Sequence, residues 1–308
     1  MFPIVDTHCD ALCKLATGTA QSFVNDPTLE TNLERLQRGR VRCQLFALYV
    51  PPSVKQENMF AMVRKQIAAF HQAVLTCPNM VHIRSLSEIA TLKDGQIGAG
   101  LTLEGMDAIG RDRAQLSWLY EQGILAIGLT WNDANMCADG IGEKRGAGLT
   151  SYGESVIDEN NTRGVVNDVS HLSVRAFWDV MAQSKKTMAS HSNAYTVCPH
   201  RRNLRDDQLD ALIKTDSFIG LVFYPPFVTN KDEACLDDLL PHIDHIGSRG
   251  GIKHIGFGSD FDGIDTYVTG LSHAGCYDTL INHLLKFYRE EEVRGFCSRN
   301  FMEKVVRH

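Results

Sequence analysis

The sequence predicts a closed (β/α)8 barrel of the TIM type, on three observations. Short apolar, β-branched runs recur eight times along the 308 residues. Amphipathic stretches separate each run from the next, as the crossovers between parallel strands require. The runs are nearly continuous in their apolar character, as strands buried on both faces are. Eight such units in about 250 or more residues match the size of a closed barrel. An open doubly wound sheet is the alternative that spacing alone leaves standing.

The strand candidates cover residues 3–7, 43–50, 99–103, 125–130, 165–169, 187–189, 219–223 and 254–258. Helix candidates fill the gaps. Residues 55–75 carry apolar positions at helical spacing. Residues 112–122 run into Gly123, a suitable helix stop. Helices are then expected over 151–162, 173–183, 206–214 and 232–249, and two more, 272–287 and 290–306, close the chain. The longest irregular insertion, 132–149, follows the fourth strand and is rich in glycine and polar residues. Long loops at that end of a barrel carry function more often than not. No break in composition divides the chain, so residues 1–308 are expected to form one domain.

Composition narrows the function. There are 31 basic and 37 acidic residues, a net charge of −6. A phosphate-tracking nucleic-acid binder needs a basic face, and so does docking on an anionic membrane. No apolar run reaches the roughly 20 residues that cross a bilayer. The start, MFPIVDTHCD, lacks the basic and apolar regions of a signal peptide. The 9 cysteines are scattered, with no CxxC pair, and read as reduced thiols. A cytoplasmic protein without nucleic-acid or membrane partners is expected.

Ionisable residues gather at the C-terminal ends of the predicted strands, the catalytic face of such a barrel. The first strand runs into Asp6-Thr7-His8-Cys9-Asp10, the third into Glu104-Gly105. The fifth runs into Asp168-Val169-Ser170-His171, the sixth into Ser190-His191-Ser192, and the eighth into Ser259-Asp260-Phe261-Asp262-Gly263. His8 and Asp10 are two apart, so on a strand both point to one side and can share a metal. Cys9 then faces the other way as a packing residue, thiolate ligation being the lesser alternative. Any one of these residues alone reads as a surface turn, a salt bridge or a hydrogen-bonded structural histidine. Five matching positions on one face change that weighting. Charge favours two divalent ions, since Asp10, Glu104, Asp260 and a bridging hydroxide would balance +4.

These residues, in the segments VDTHCD, LEGMDAIG, GLTWNDANMCADG, DVSHLS, ASHSNAYTVCPHRRNLRDD and IGFGSDFDG, resemble the membrane (renal) dipeptidase family, peptidase family M19 of the amidohydrolase group. The resemblance covers nearly the whole chain and is closest to the bacterial cytosolic branch. It implies two divalent ions, zinc being the expected metal. His8 and Asp10 would bind one, His171 and His191 the other, and Glu104 would bridge them. Asp260 aligns with the catalytic carboxylate of the eighth strand, and Arg202 with an arginine that binds substrate. The implied reaction is hydrolysis of dipeptides, including those with a D-residue at the C-terminal position, by a metal-bridging hydroxide. A homodimer is also implied. Animal members carry a histidine where this sequence has Trp131, so Trp131 and Asn132 become the expected substrate contacts there, with Asn135 as a partial substitute.

The rival readings are another hydrolase on this scaffold (lactonase, deaminase or phosphoesterase) and a non-catalytic barrel. Elsewhere, Asp6 is expected to hydrogen-bond behind His8. Asp139 and Gly140 are expected to order the long loop, and Asp262 to bond loop amides. Arg201 and Arg205 are expected at the surface, and His200 and His254 in structural roles. His242 and His245, three apart, read as a solvated helix face.

Overall fold

The computed structural model describes residues 2–307. Nine strands form one parallel sheet: β1 (Ile4–Asp6), β2 (Val41–Tyr49), β3 (Met80–Ile83), β4 (Ile97–Glu104), β5 (Ile124–Gly128), β6 (Val166–Asp168), β7 (Thr187–Ala189), β8 (Phe218–Leu221) and β9 (Ile255–Phe257). Eight of them close a ring, because β2 pairs with β4 as well as β1, and β1 pairs back to β9. That closure excludes the open sheet. The eight are the strands expected from the sequence. The ninth, β3, was not expected. It pairs with the first half of β4 from Met80↔Ile97, and β5 takes over the same edge from Leu101↔Ile124.

Strand alternation sorts the apolar residues into two cores. Val5, Leu45, Leu125, Val166, Met188 and Phe218 come from six strands yet touch one another, which is possible only across the barrel interior. Phe301 and Val305 of the C-terminal helical stretch close this plug from below. Ile4, Phe46, Leu48 and Ile127 face outward and pack under the helices.

Most helices fall where periodicity places them: Gln56–Ala69, Arg113–Glu121, Ser151–Arg163, Val174–Gln183 and Asp206–Lys214. The short helices Ala11–Thr17 and Leu33–Arg38 were not expected. The stretch 232–249 becomes helical only at Leu236–Leu239 and continues as Leu240–Ile246. Its histidines correct the sequence reading. His242 is fully buried; its Nδ1 accepts the Ala194 N–H at 3.1 Å and its Nε2–H donates to Val228 O at 2.9 Å. Burial lowers its pKa to about 4. His245 is ion-paired to Asp206 at 2.8 Å. His242 therefore packs inward and is not solvated, while His245 stays partly exposed beside Asp206. His200 and His254 are structural as expected: one stacks on Phe227, the other bonds Ser217 O at 2.8 Å.

Polar ties fix the rim above the plug. Thr7 Oγ1 donates across the mouth to Ser190 O at 2.6 Å, with Phe257 O 3.0 Å away. Gly258 permits this approach, since a Cβ there would lie 1.8 Å from Ser190 O. Asp6 is fully buried and clamps first strand to last. It accepts from Ser259 N–H at 2.9 Å, Ser259 Oγ at 2.7 Å and Tyr277 OH at 2.8 Å. The loop 132–149 is pinned by buried Asp139, which accepts from Arg145 Nε at 2.9 Å and Ala147 N–H at 2.7 Å. Ile141 N–H then donates to His171 O at 2.7 Å and ties the loop to the rim.

Candidate metal centre

A main-chain ladder extends beyond β1 and β9. Asp10 N–H donates to Phe261 O at 2.9 Å, and Asp260 N–H to His8 O at 3.2 Å. It sets Asp260 beside His8. Cys9, between the two candidate ligands of β1, packs into the outer core. Glu104 ends β4, His171 follows β6 and His191 follows β7. Three residues here hold left-handed backbone: His171 at φ 68°, Asp260 at 63° and Asp262 at 70°. That conformation costs a non-glycine residue about 1–2 kcal/mol. Such outliers concentrate at functional sites.

Glu104 lies at the centre. Its Oε1 is 2.9 Å from His171 Nε2 and 3.6 Å from His191 Nε2. Its Oε2 is 3.7 Å from His8 Nε2. His8 Nε2 is in turn 3.4 Å from Asp10 Oδ2 and 3.7 Å from Asp260 Oδ1. The two oxygens of one carboxylate therefore address two different groups of side chains. Ligand atoms of His8, Glu104 and His191, and of His8, Asp10 and Asp260, lie within 4.8 Å of one another.

Hydrogen bonds behind the rings set the tautomers. His171 Nδ1–H donates to Asn132 Oδ1 at 3.0 Å. Ser190 Oγ donates to Asp168, so its lone pair accepts the His191 Nδ1–H at 2.8 Å. Both rings thus turn bare Nε2 lone pairs inward, and these nitrogens are 2.9 Å apart. Burial, with Arg202 and His8 adding to it, lowers both imidazole pKa values. A cation between the two nitrogens would offset their repulsion. On the other side, His8 Nε2 and Asp10 Oδ1 are buried without a hydrogen-bond partner. Burial alone would lower the His8 pKa, but Glu104, Asp10 and Asp260 outweigh it and lift it to about 10. The carboxylates that keep a proton there would equally attract a metal ion. Burial raises the pKa of Asp10, Glu104 and Asp260. The donor set fits divalent metal on both sides.

The centre opens into a cavity of about 520 Å³. Trp131, Asn132, Tyr49, Lys14, Tyr224 and Phe227 are among its walls. Gly263 lines it too, and a Cβ there would come within 2.3 Å of Asp10 Oδ2 and 2.7 Å of Asp260 Oδ1. Arg202 is buried behind His191. Its Nη2 donates to His191 O at 3.0 Å, and its Nε has no hydrogen-bond partner. Asn135 is turned away: it donates to Leu129 O at 2.8 Å and Asp107 Oδ2 at 3.0 Å, so it does not substitute at the substrate wall. Asp262 bonds loop amides as expected, accepting from Glu30 and Thr31 N–H at 2.9 and 3.1 Å; Lys14 Nζ, 3.0 Å away, offsets its charge.

Sequence reasoning missed Asp168 and Ser190 as supports of His191, and missed Tyr49 and Lys14 in the walls. Asp168 and Ser190 carried a signal, both standing at the strand ends beside the histidines; Tyr49 and Lys14 carried none.

A closed parallel barrel whose rim presents bare imidazoles around a shared carboxylate defines a class, the metal-dependent hydrolases of amidohydrolase type. Within it the chain belongs to the membrane dipeptidase family, peptidase family M19, whose model matches residues 1–308. The dipeptidase aclJ of Aspergillus oryzae is 32% identical over 83% of this chain and 64% of its own length. An uncharacterized dipeptidase of Schizosaccharomyces pombe is 30% identical over 97% of this chain and 79% of its own. Among solved structures, a metallo peptidase of Rhodobacter sphaeroides superposes with a TM-score of 0.92, at 25% identity and 99% coverage of both chains. That crystal structure holds a phosphinate mimic of the dipeptide L-Ala-D-Ala. Among the described residues, no helix is long and apolar enough to cross a membrane.

Proposed function

We propose that this chain hydrolyses dipeptides, including those with a D-residue at the C-terminal position, with two zinc ions at the barrel mouth. One observation carries the proposal: Glu104 turns Oε1 toward His171 and His191 and Oε2 toward His8. His8 and Asp10 would hold one ion, His171 and His191 the other, with Glu104 shared. When bound, such a pair lowers the pKa of water and polarises a carbonyl.

The remaining work falls to the chain itself. Asp260 lines the cavity beside His8 and would take the water proton and hand it to the leaving amine. Arg202 keeps a buried positive charge behind His191, with an uncommitted Nε–H, and would pair with the substrate carboxylate. A clamp of that kind limits the substrate to two residues, because a longer peptide puts no carboxylate there. Trp131 supplies an apolar wall, and Asn132 holds the tautomer of His171 while facing the cavity. The nine cysteines are all free thiols, which supports a cytoplasmic setting.

The test is a substrate panel on the zinc-loaded protein. L,L- and L,D-dipeptides should be cleaved, and their C-terminal amides, lactones and phosphoesters left intact. Turnover confined to lactones or phosphoesters, or no turnover with zinc bound, would overturn the assignment.

A further inference from the structure

We infer that Tyr49 is a further catalytic residue: its phenol donates a hydrogen bond to the scissile carbonyl oxygen as that oxygen gains charge. The inference rests on the dipeptidase reading of the site and adds a residue to it.

Position comes first. Tyr49 is the last residue of β2 and is paired in register with Glu104, the last residue of β4. Register partners on neighbouring strands project to the same side. Both therefore enter the mouth together, and both line the cavity. The tyrosine sits one strand from the carboxylate that the two histidine groups share.

The backbone of Tyr49 is held with unusual care. Gln66 is fully buried on the helix Gln56–Ala69. Its Nε2–H donates to Tyr49 O at 2.7 Å, and its Oε1 accepts from Tyr49 N–H at 3.3 Å. Both bonds of a buried amide are committed to placing this one residue. The ring is further set by Trp131, at 5.5 Å between centroids.

The hydroxyl is what remains uncommitted. Its main chain is bonded, yet among the described residues none hydrogen-bonds the phenol oxygen. Two nearby donors are engaged, Lys14 with Glu30 and Asp262, and His171 with Asn132; among the lining donors without such a bond, Tyr49 is the one on the strand paired in register with Glu104. Burial, and then Glu104 and Asp10, raise the Tyr49 pKa above its usual value. A neutral donor fixed before the reaction loses nothing to reorganisation when the oxyanion forms.

The experiment compares the zinc-loaded wild type with Tyr49→Phe, which keeps the ring against Trp131 and removes only the hydroxyl. Five quantities are read: kcat and KM on one dipeptide, metal content, Tm, and affinity for a phosphinate dipeptide mimic, whose tetrahedral oxygens stand in for the oxyanion. We expect kcat to fall about 100-fold, a scale typical of a lost oxyanion donor. Phosphinate affinity should fall with it, while KM, metal content and Tm stay near wild type. An unchanged kcat, or a rise in KM alone, overturns the role of Tyr49 and leaves the dipeptidase reading intact. A wild type that cleaves no dipeptide overturns both.

Discussion

The two ends of this barrel are built from the same strands to opposite specifications. The lower end is plugged by Val5, Leu45, Leu125, Val166, Met188 and Phe218, capped by Phe301 and Val305. The upper end, a few residues further along each strand, gathers His8, Asp10, Glu104, His171, His191 and Asp260. Its backbone is left-handed at three non-glycine residues, and three of its buried polar atoms, His8 Nε2, Asp10 Oδ1 and Arg202 Nε, lack partners. The plug stabilises; the rim spends stability on geometry. In such a division, damage below should change folding and spare the site, and damage above should do the reverse.

The sharpest break is Asp260→Asn. It removes the proposed proton carrier and a buried carboxylate that repels its neighbours. Turnover should collapse by about 10⁴-fold, the upper range for a general acid–base. Bound metal and Tm should stay near wild type. Surviving turnover would remove Asp260 from the mechanism. The counterpart below is Phe301→Ala. Truncating a buried phenylalanine costs about 3–5 kcal/mol, so chemical denaturation should show a loss of that size. The kcat of the folded fraction should not move; a matching drop in kcat would show that plug and rim are not separable.

A smaller effect sharpens the comparison within the rim. Ser190→Ala leaves His191 in place but cuts its tie to Asp168. Supports of this kind typically contribute 10- to 100-fold in metal affinity. Zinc titration should show a loss of about 10-fold at one of two sites, with little change in unfolding free energy. Equal weakening of both sites would argue against separate ligand sets.

The sequence disclosed the barrel because eight buried strands are apolar throughout and regularly spaced. It hid β3, whose MVHI is short, only partly buried and pairs along only half of β4. The helices Ala11–Thr17 and Leu33–Arg38 escaped because fewer than two turns show no periodicity. Six charged or imidazole side chains at the rim were legible, since such groups at the ends of apolar strands need a reason to be there. Tyr49 was not, because an aromatic at the end of an apolar run reads as core. His242 was misread because a histidine at helical spacing carries no mark of burial; its two main-chain partners are 48 and 14 residues away.

The central claim is that one carboxylate divides two ions between two ligand sets. Anomalous diffraction from crystals grown with zinc tests it most directly. The account predicts two peaks, one beside Glu104 Oε1, His171 and His191, the other beside Glu104 Oε2, His8 and Asp10. A single peak, or peaks that leave Glu104 without contact, would contradict it.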